Sequence, residues 1–178
     1  MAGDDDSSLL RGAQHGHEDA LRGLINRHAA YLYGVARSLT GDEHEADDLV
    51  QEAFVASLTA KFRAESSVRT WLVAILVNRS AMRRRSSKRM TIGLPDEANQ
   101  PAPPTSEPIK ADAKLDLAHM LETLSPEFRE VVVLRELQGM SYEQIALTLN
   151  IPRGTVESRL HRAREQLKTR FKGYFDDV

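Results

Sequence analysis

Apolar side chains recur at steps of three and four along most of this chain, and no segment alternates with the period of two that a half-buried strand requires. Leu21, Leu24, Ile25, His28, Leu32, Val35 and Leu39 define one helical face, which Thr40-Gly41-Asp42 interrupts. A second helix begins near Glu43, with Ala46, Leu49, Val50, Ala53, Phe54 and Leu58 on one side and Glu45, Asp47, Asp48, Gln51 and Glu52 on the other. The period lapses over Phe62–Ser67 (FRAESS), which reads as a loop. A third, mostly buried helix is expected from Val68 to about Arg85. Residues 91–110 then hold five prolines, with Ile92, Leu94 and Ile109 the only large apolar residues, so an extended, mobile linker is expected. Helical spacing resumes over Leu115–Leu124. Ser125 is suited to cap a further helix and Pro126 to start it. That helix, Glu127–Gln138, offers Val131, Val132, Leu134 and Leu137 to a core and ends at Gly139.

The segment Ser141–Arg164, SYEQIALTLNIPRGTVESRLHRAR, has the form of a helix-turn-helix. Ser141 and Gln144 make a capping-box pattern ahead of Ile145, Ala146 and Leu149. Asn150 suits the left-handed position that ends a helix, and Pro152 suits the first turn of the next. Val156, Leu160, Ala163, Leu167 and Phe171 form a single stripe along that second helix. Between them stand Arg153, Thr155, Ser158, Arg159, His161 and Arg162, a basic face rich in hydrogen-bonding groups, as a reader of the major groove needs. The plainer alternative is a helical hairpin whose arginines are merely solvated.

Net charge is only −2, but its distribution is uneven. Residues 1–60 carry eleven acids and four arginines, residues 79–89 six basic residues and no acid, and residues 150–175 seven basic residues and two acids. An acidic front with two basic stations predicts a protein partner at one surface and nucleic acid at two others. The sequence pI of 6.3 is below that of a simple DNA-binding module. Absence of cysteine excludes disulfides and thiolate metal sites. The apolar run that includes Trp71–Leu76 is too short to span a membrane, and the acidic start has no signal-peptide pattern, so a cytoplasmic protein is expected. His15, His17 and the other scattered histidines are expected in surface or capping roles, with His161 on the reading face. Asn78-Arg79-Ser80 matches a glycosylation acceptor by chance.

The stretch EADDLVQEAFVASLTAKFRAESSVRTWLVAILVNRSAMRRRSSKR resembles region 2 of bacterial sigma factors, above all the small extracytoplasmic-function (ECF) group of the sigma-70 family. Asp48–Glu52, Phe62–Ser67, Thr70–Leu72, Asn78 and Arg83–Arg89 carry that likeness. The C-terminal segment resembles the family's region 4, most specifically at GTVESRLHRAR. Two motifs in the right order across a suitable tether are more specific than either alone.

The resemblance implies an all-α protein of two small helical domains: a region 2 bundle over residues 8–90 and a region 4 helix-turn-helix over 112–178, joined by a flexible proline-rich linker at 91–111. It implies a polymerase-docking surface at Asp47, Asp48, Gln51 and Glu52, which on composition alone is a solvated acidic face. Phe62, Arg63, Ser66 and Ser67 correspond to the loop that captures a base flipped from the minus-ten element. Such a base needs an apolar wall and polar groups for its edge. Asn78, Arg79, Arg83 and Arg84 extend that contact. Trp71 is suited either to stack on DNA or, more in keeping with its neighbours Leu72, Ile75 and Leu76, to fill the core. Arg153, Thr155, Ser158, Arg159, His161 and Arg162 would read the minus-thirty-five element. Val68 departs from the family, which commonly has an aromatic there, and VAILV before Asn78 lacks a basic residue often found there.

The expected function is therefore promoter recognition: binding core RNA polymerase and promoter DNA, under the control of an anti-sigma factor and within a stress response. No cofactor, metal, membrane insertion or catalytic chemistry of its own is expected. One rival is a stand-alone helix-turn-helix regulator independent of polymerase, which would need a sensing domain in front. Another is a metal-dependent nucleic-acid enzyme using Asp47, Asp48 and Glu52, which lack a supporting histidine or glycine framework.

Overall fold

A computed structural model describes residues 2–90 and 119–171. Among these residues every regular element is a helix. Helix α1 spans Ala2–Gln14, α2 Glu18–Thr40, α3 Glu43–Thr59 and α4 Val68–Met90. A short helical segment at 119–122 precedes α5, Pro126–Val132, which widens into a π-helical turn over Val133–Leu137. Helix α6 is Tyr142–Leu149 and α7 is Arg153–Arg170. The linker expected at 91–111 lies outside the described residues. The chain divides into two compact units, Met1–Ser80 and Ala81–Val178. That division falls inside α4 rather than at residue 90, so the basic run from Arg83 onward belongs to the second unit.

In the first unit Leu24, Leu32 and Val35 of α2, Ala46, Leu49, Ala53 and Phe54 of α3, and Leu72, Val73, Leu76 and Val77 of α4 form the core. Each large aliphatic side chain so buried contributes roughly 1.5–3 kcal/mol. Gly41 ends α2 at φ 75° with its N–H on the Arg37 carbonyl, and Asp42 caps α3 by accepting from the Glu45 N–H at 2.9 Å. Those two adjacent residues are why the helical pattern breaks there.

Helix α1 was not legible as an element, because Leu9, Leu10 and Ala13 are its only large or core apolar positions. Leu10 and Ala13 nevertheless reach the core. Gly12 permits the close crossing of α1 on α2, since a Cβ there would lie 2.7 Å from the Cβ of Ala20. Arg27 fastens the same pair of helices through Asp5 at 2.7 Å and Asp6 at 2.6 Å. His28 corrects the expectation of surface histidines. It is fully buried, its Nε2 lies 3.3 Å from Oδ2 of Asp6, and neither ring nitrogen completes a hydrogen bond. Burial holds it below the ordinary imidazole value.

In the second unit Leu121, Leu124, Val131, Val133, Leu134, Ile145, Leu149, Val156, Leu160 and Ala163 are buried. Leu167 and Phe171, expected on the same stripe, are half-buried. The single helix expected over Glu127–Gln138 is instead an α-turn followed by a π-turn, in which the Gln138 N–H reaches the Val133 carbonyl at 3.2 Å. The wider turn changes the phase, and Leu137, expected in the core, is 37% exposed. Gly139 closes this segment at φ 65°.

Two buried charges brace this unit. Arg129 donates to the carbonyls of Leu121, Glu122 and Leu124 at 2.7, 3.0 and 3.1 Å, satisfying acceptors at the end of the 119–122 segment. Glu130 is 2% exposed and accepts from Nη2 of Arg84 with both oxygens at 2.9 Å. Burial raises the Glu130 carboxyl, an effect that Arg84 opposes.

Candidate functional site

The helix-turn-helix is built as its residues predict. The Ser141 hydroxyl accepts from the Gln144 N–H at 3.2 Å and the Gln144 side chain accepts from the Ser141 N–H at 2.8 Å, completing the capping box. Asn150 turns the chain at φ 51°, ψ 54°. Pro152 sits one position earlier than expected, at the N-cap, where its carbonyl accepts from Thr155 and Val156.

With Val156, Leu160 and Ala163 turned inward, α7 exposes Arg153, Ser158, His161 and Arg162. Arg153 is held by Glu143 at 3.1 Å and Glu157 at 3.0 Å, which orients its guanidinium at the start of the helix. Ser158 donates to the Thr155 carbonyl at 3.1 Å. Thr155 and Arg159 are half-buried, and the charge of Arg159 acts on the buried Glu130. Arg159 therefore lies at the inner edge of the polar face. Arg164 pairs with Glu136 at 2.7 Å.

In the first unit a second polar region is assembled where α3 gives way to α4. Helix α3 ends without a left-handed residue, and Ala60 leaves it extended at φ −77°, ψ 140°. Phe62 then packs edge-on against Trp71, with ring centroids 5.2 Å apart and planes at 61°. Both rings are half-buried, so Trp71 stands at the border of the core rather than within it. Arg63 and Glu65 are exposed on either side of Ala64, whose φ of 58° is the left-handed region a residue with a Cβ seldom occupies. Ser66 donates to the Ser67 carbonyl at 3.3 Å.

Ser67 has a local task of its own. Its hydroxyl accepts from the Thr70 N–H at 3.1 Å and donates to the Thr70 hydroxyl at 3.0 Å, so it caps α4. The Ser-x-x-Thr spacing is the sequence signal for that cap. Further along α4, Asn78 is half-buried and Arg79 and Arg83 are exposed. Arg84 departs from the open basic run expected of it, because its guanidinium engages Glu127 and Glu130. The neighbouring Arg85 donates to the Leu149 carbonyl.

The outer face of α3 carries Asp47, Asp48 and Gln51, all exposed, with Glu52 half-buried. Val55, an apolar residue outside the expected acidic set, continues that face at 67% exposure. Among the described residues no group of three or more His, Asp or Glu is arranged to hold a metal ion, and no helix is long and apolar enough to cross a membrane.

Comparison with known proteins places both units. Residues 24–90 match the model of Sigma-70 region 2, and residues 114–167 match that of Sigma-70, region 4. The chain is 40% identical over 152 residues to the ECF RNA polymerase sigma factor SigE of Mycolicibacterium smegmatis, covering 82% of this chain and 59% of that relative. It is 34% identical over 169 residues to the ECF RNA polymerase sigma factor SigL of Mycobacterium tuberculosis, covering 89% of this chain and 93% of the relative. Among solved structures it resembles CnrH, described in complex with the cytosolic domain of CnrY, at 29% identity and a TM-score of 0.59 over 95% of this chain and 98% of the other. It also resembles the sigma factor RpoE of Bartonella quintana, described in complex with the anti-sigma factor NepR, at 29% identity and a TM-score of 0.57 over 85% and 96% of the two chains. With a region 2 bundle and a region 4 helix-turn-helix in that order, the chain belongs to the ECF RNA polymerase sigma factors of the Sigma-70 family.

Proposed function

We propose that this chain binds core RNA polymerase and directs it to a specific set of promoters. The observation that carries the reading is the presence, in one chain, of a helix-turn-helix with an outward basic helix and a separate loop-and-helix region matching Sigma-70 region 2. A stand-alone regulator needs only the first of these.

In this scheme Asp47, Asp48, Gln51 and Glu52 on α3 meet basic residues of the polymerase. Phe62, Arg63 and Ser66, with Asn78 behind them, take up an unpaired base of the minus-ten element, and Arg79 and Arg83 approach its phosphates. Ser67 contributes through the α4 cap as well as through its own polarity. Arg84 reaches DNA only by exchanging the carboxylates of Glu127 and Glu130 for phosphate. Arg153, Thr155, Ser158, His161 and Arg162 of α7 face the minus-thirty-five element, with Arg159 at the edge of that contact. Control by an anti-sigma protein follows the pattern of the relatives described in such complexes.

The test is transcription of genomic DNA by purified core polymerase with and without the chain, with start sites mapped. A new set of start sites sharing two spaced elements is the expected result. Tight, sequence-specific DNA binding by the chain alone at physiological salt, with no change in transcription, would overturn the reading in favour of a stand-alone regulator.

A further inference from the structure

The C-terminus of α3 is finished in an unusual way. Helix ends leave their last carbonyls without partners, and a left-handed residue normally folds the chain back to satisfy them. Gly41 does this for α2 and Asn150 for α6. At the end of α3 the chain leaves extended at Ala60, so no such closure forms. The acceptors are met from elsewhere. The side-chain amide of Gln14 donates to the Ser57 carbonyl at 2.8 Å and to the Ala60 carbonyl at 3.0 Å. Gln14 is the last residue of α1, 43 and 46 positions away in sequence.

What leaves α3 at this point is the Phe62–Ser67 loop. Its far end is fixed by Ser67 capping α4. Its near end is held by Phe62 against Trp71 of α4 and by the paired hydrogen bonds of Gln14 from α1. The position of Gln14 is in turn set by Leu10 and Ala13, which are buried on the same helix. Helix α1 lies wholly ahead of residues 24–90, the span that matches the region 2 model.

We infer that Gln14 is a positioning residue for the minus-ten loop, holding the exit of α3 so that Phe62 and its neighbours meet the unpaired base. This rests on the reading of that loop as the base-capturing segment. Gln14 touches no DNA itself. Its loss lets Ala60 and Lys61 shift, and selectivity for the captured base falls while the helices that bind polymerase stay intact.

The experiment uses the full chain loaded on core polymerase. A pool of single-stranded DNA, randomised over a short stretch, is selected on the complex and sequenced. Gln14→Glu keeps the shape of the side chain but sets a carboxylate against two carbonyls. Gln14→Lys restores donors of similar reach. Phe62→Ala reports on the loop itself. The expected result is a flattened preference at one base position in Gln14→Glu, by about tenfold, with the same position flattened in Phe62→Ala. Recovery in Gln14→Lys and unchanged binding to core polymerase are also expected.

A normal preference in Gln14→Glu beside a flattened one in Phe62→Ala would overturn the inference and leave the loop reading standing. A normal preference in both would overturn the loop reading. A lowered melting temperature in Gln14→Glu with the preference intact would mean that Gln14 serves stability alone, and would also overturn it.

Discussion

The two regions proposed to meet DNA are built on opposite plans. The reading face of α7 is part of a regular helix, set by signals close to it in sequence: the capping box, Asn150, and the stripe of Val156, Leu160 and Ala163. The loop between α3 and α4 has no periodic structure. It is held by a cap at one end, a ring contact across it, and a glutamine 46 residues before Ala60. A site carried on a helix fails when its unit loses stability. A site carried on a braced loop can lose its geometry while the fold survives.

The largest expected effect tests the independence of the two plans. Leu160→Ala empties a position that is 1% exposed and should cost about 2–5 kcal/mol. Amide hydrogen exchange should then accelerate across α5–α7 while α2 and α3 keep their protection. An equal loss in α2 and α3 would show the units to be one cooperative body, and the contrast would not hold.

The loop should respond differently. Phe62→Ala with Asn78→Ala should weaken base capture by about 1–3 kcal/mol per stacked base. Permanganate footprinting should find fewer open complexes on duplex promoter and partial recovery on a template already unpaired at the minus-ten element. A defect of equal size on both templates, with a lower melting temperature, would make these residues structural.

A smaller pair of changes sharpens the contrast, because both regions use a serine cap. Ser141→Ala and Ser67→Ala should each cost roughly 1 kcal/mol of helix stability. Only Ser67→Ala should also alter preference for the minus-ten base, read by the same selection on single-stranded DNA. A change in minus-ten preference from Ser141→Ala would contradict the separation.

Acid gives the mildest test. His28 is held below its ordinary 6.5 by burial, then by the charges of Arg69 and Arg27, with Asp6 opposing. The unfolded chain therefore takes up the proton first, and the stability that neutral His28 permits is whole above pH 6.5 and drains as pH falls below it. Glu130 is raised from its ordinary 4.5, so the folded chain holds the proton more tightly, and the second unit gains from this group as pH falls toward 4.5. Hydrogen exchange followed from neutral pH downward should show protection in α2 declining ahead of that in α5, and His28→Gln should flatten the first response. Protection in α2 that is indifferent to pH would contradict the buried, neutral imidazole.

Most of the helical architecture was legible in the sequence because it rests on local signals. The breaks at Gly41-Asp42 and Asn150, the cap at Ser141, and the stripes of α2, α3 and α7 each follow from residues a few positions apart. What escaped depends on distance. Helix α1 carries too few apolar residues to announce itself, and it is kept by Arg27 and by the close crossing at Gly12. His28 is buried beside Asp6, which another helix supplies. Arg84 looked like one more cation in a basic run, and only folding brings Glu130 to it. The polar face of α7 follows from residue spacing, but a helical wheel cannot tell that Arg159 is half-buried.

The π-turn at Val133–Leu137 bears on how the chain tolerates changes in length. Each residue of an α-helix advances the chain by about 100°. A π-turn takes up one residue more than the α-helical register allows, in the manner of a single-codon insertion absorbed in place. Deleting one residue from this stretch would restore an uninterrupted ladder from Pro126 onward. Because the π-turn has already absorbed that residue, Gln138, Gly139 and Met140 would keep their directions. The capping box at Ser141 would begin its helix where it does now, with every residue of the reading face still present. An uninterrupted stretch of α-helix cannot absorb the same loss without turning everything after it by about 100°.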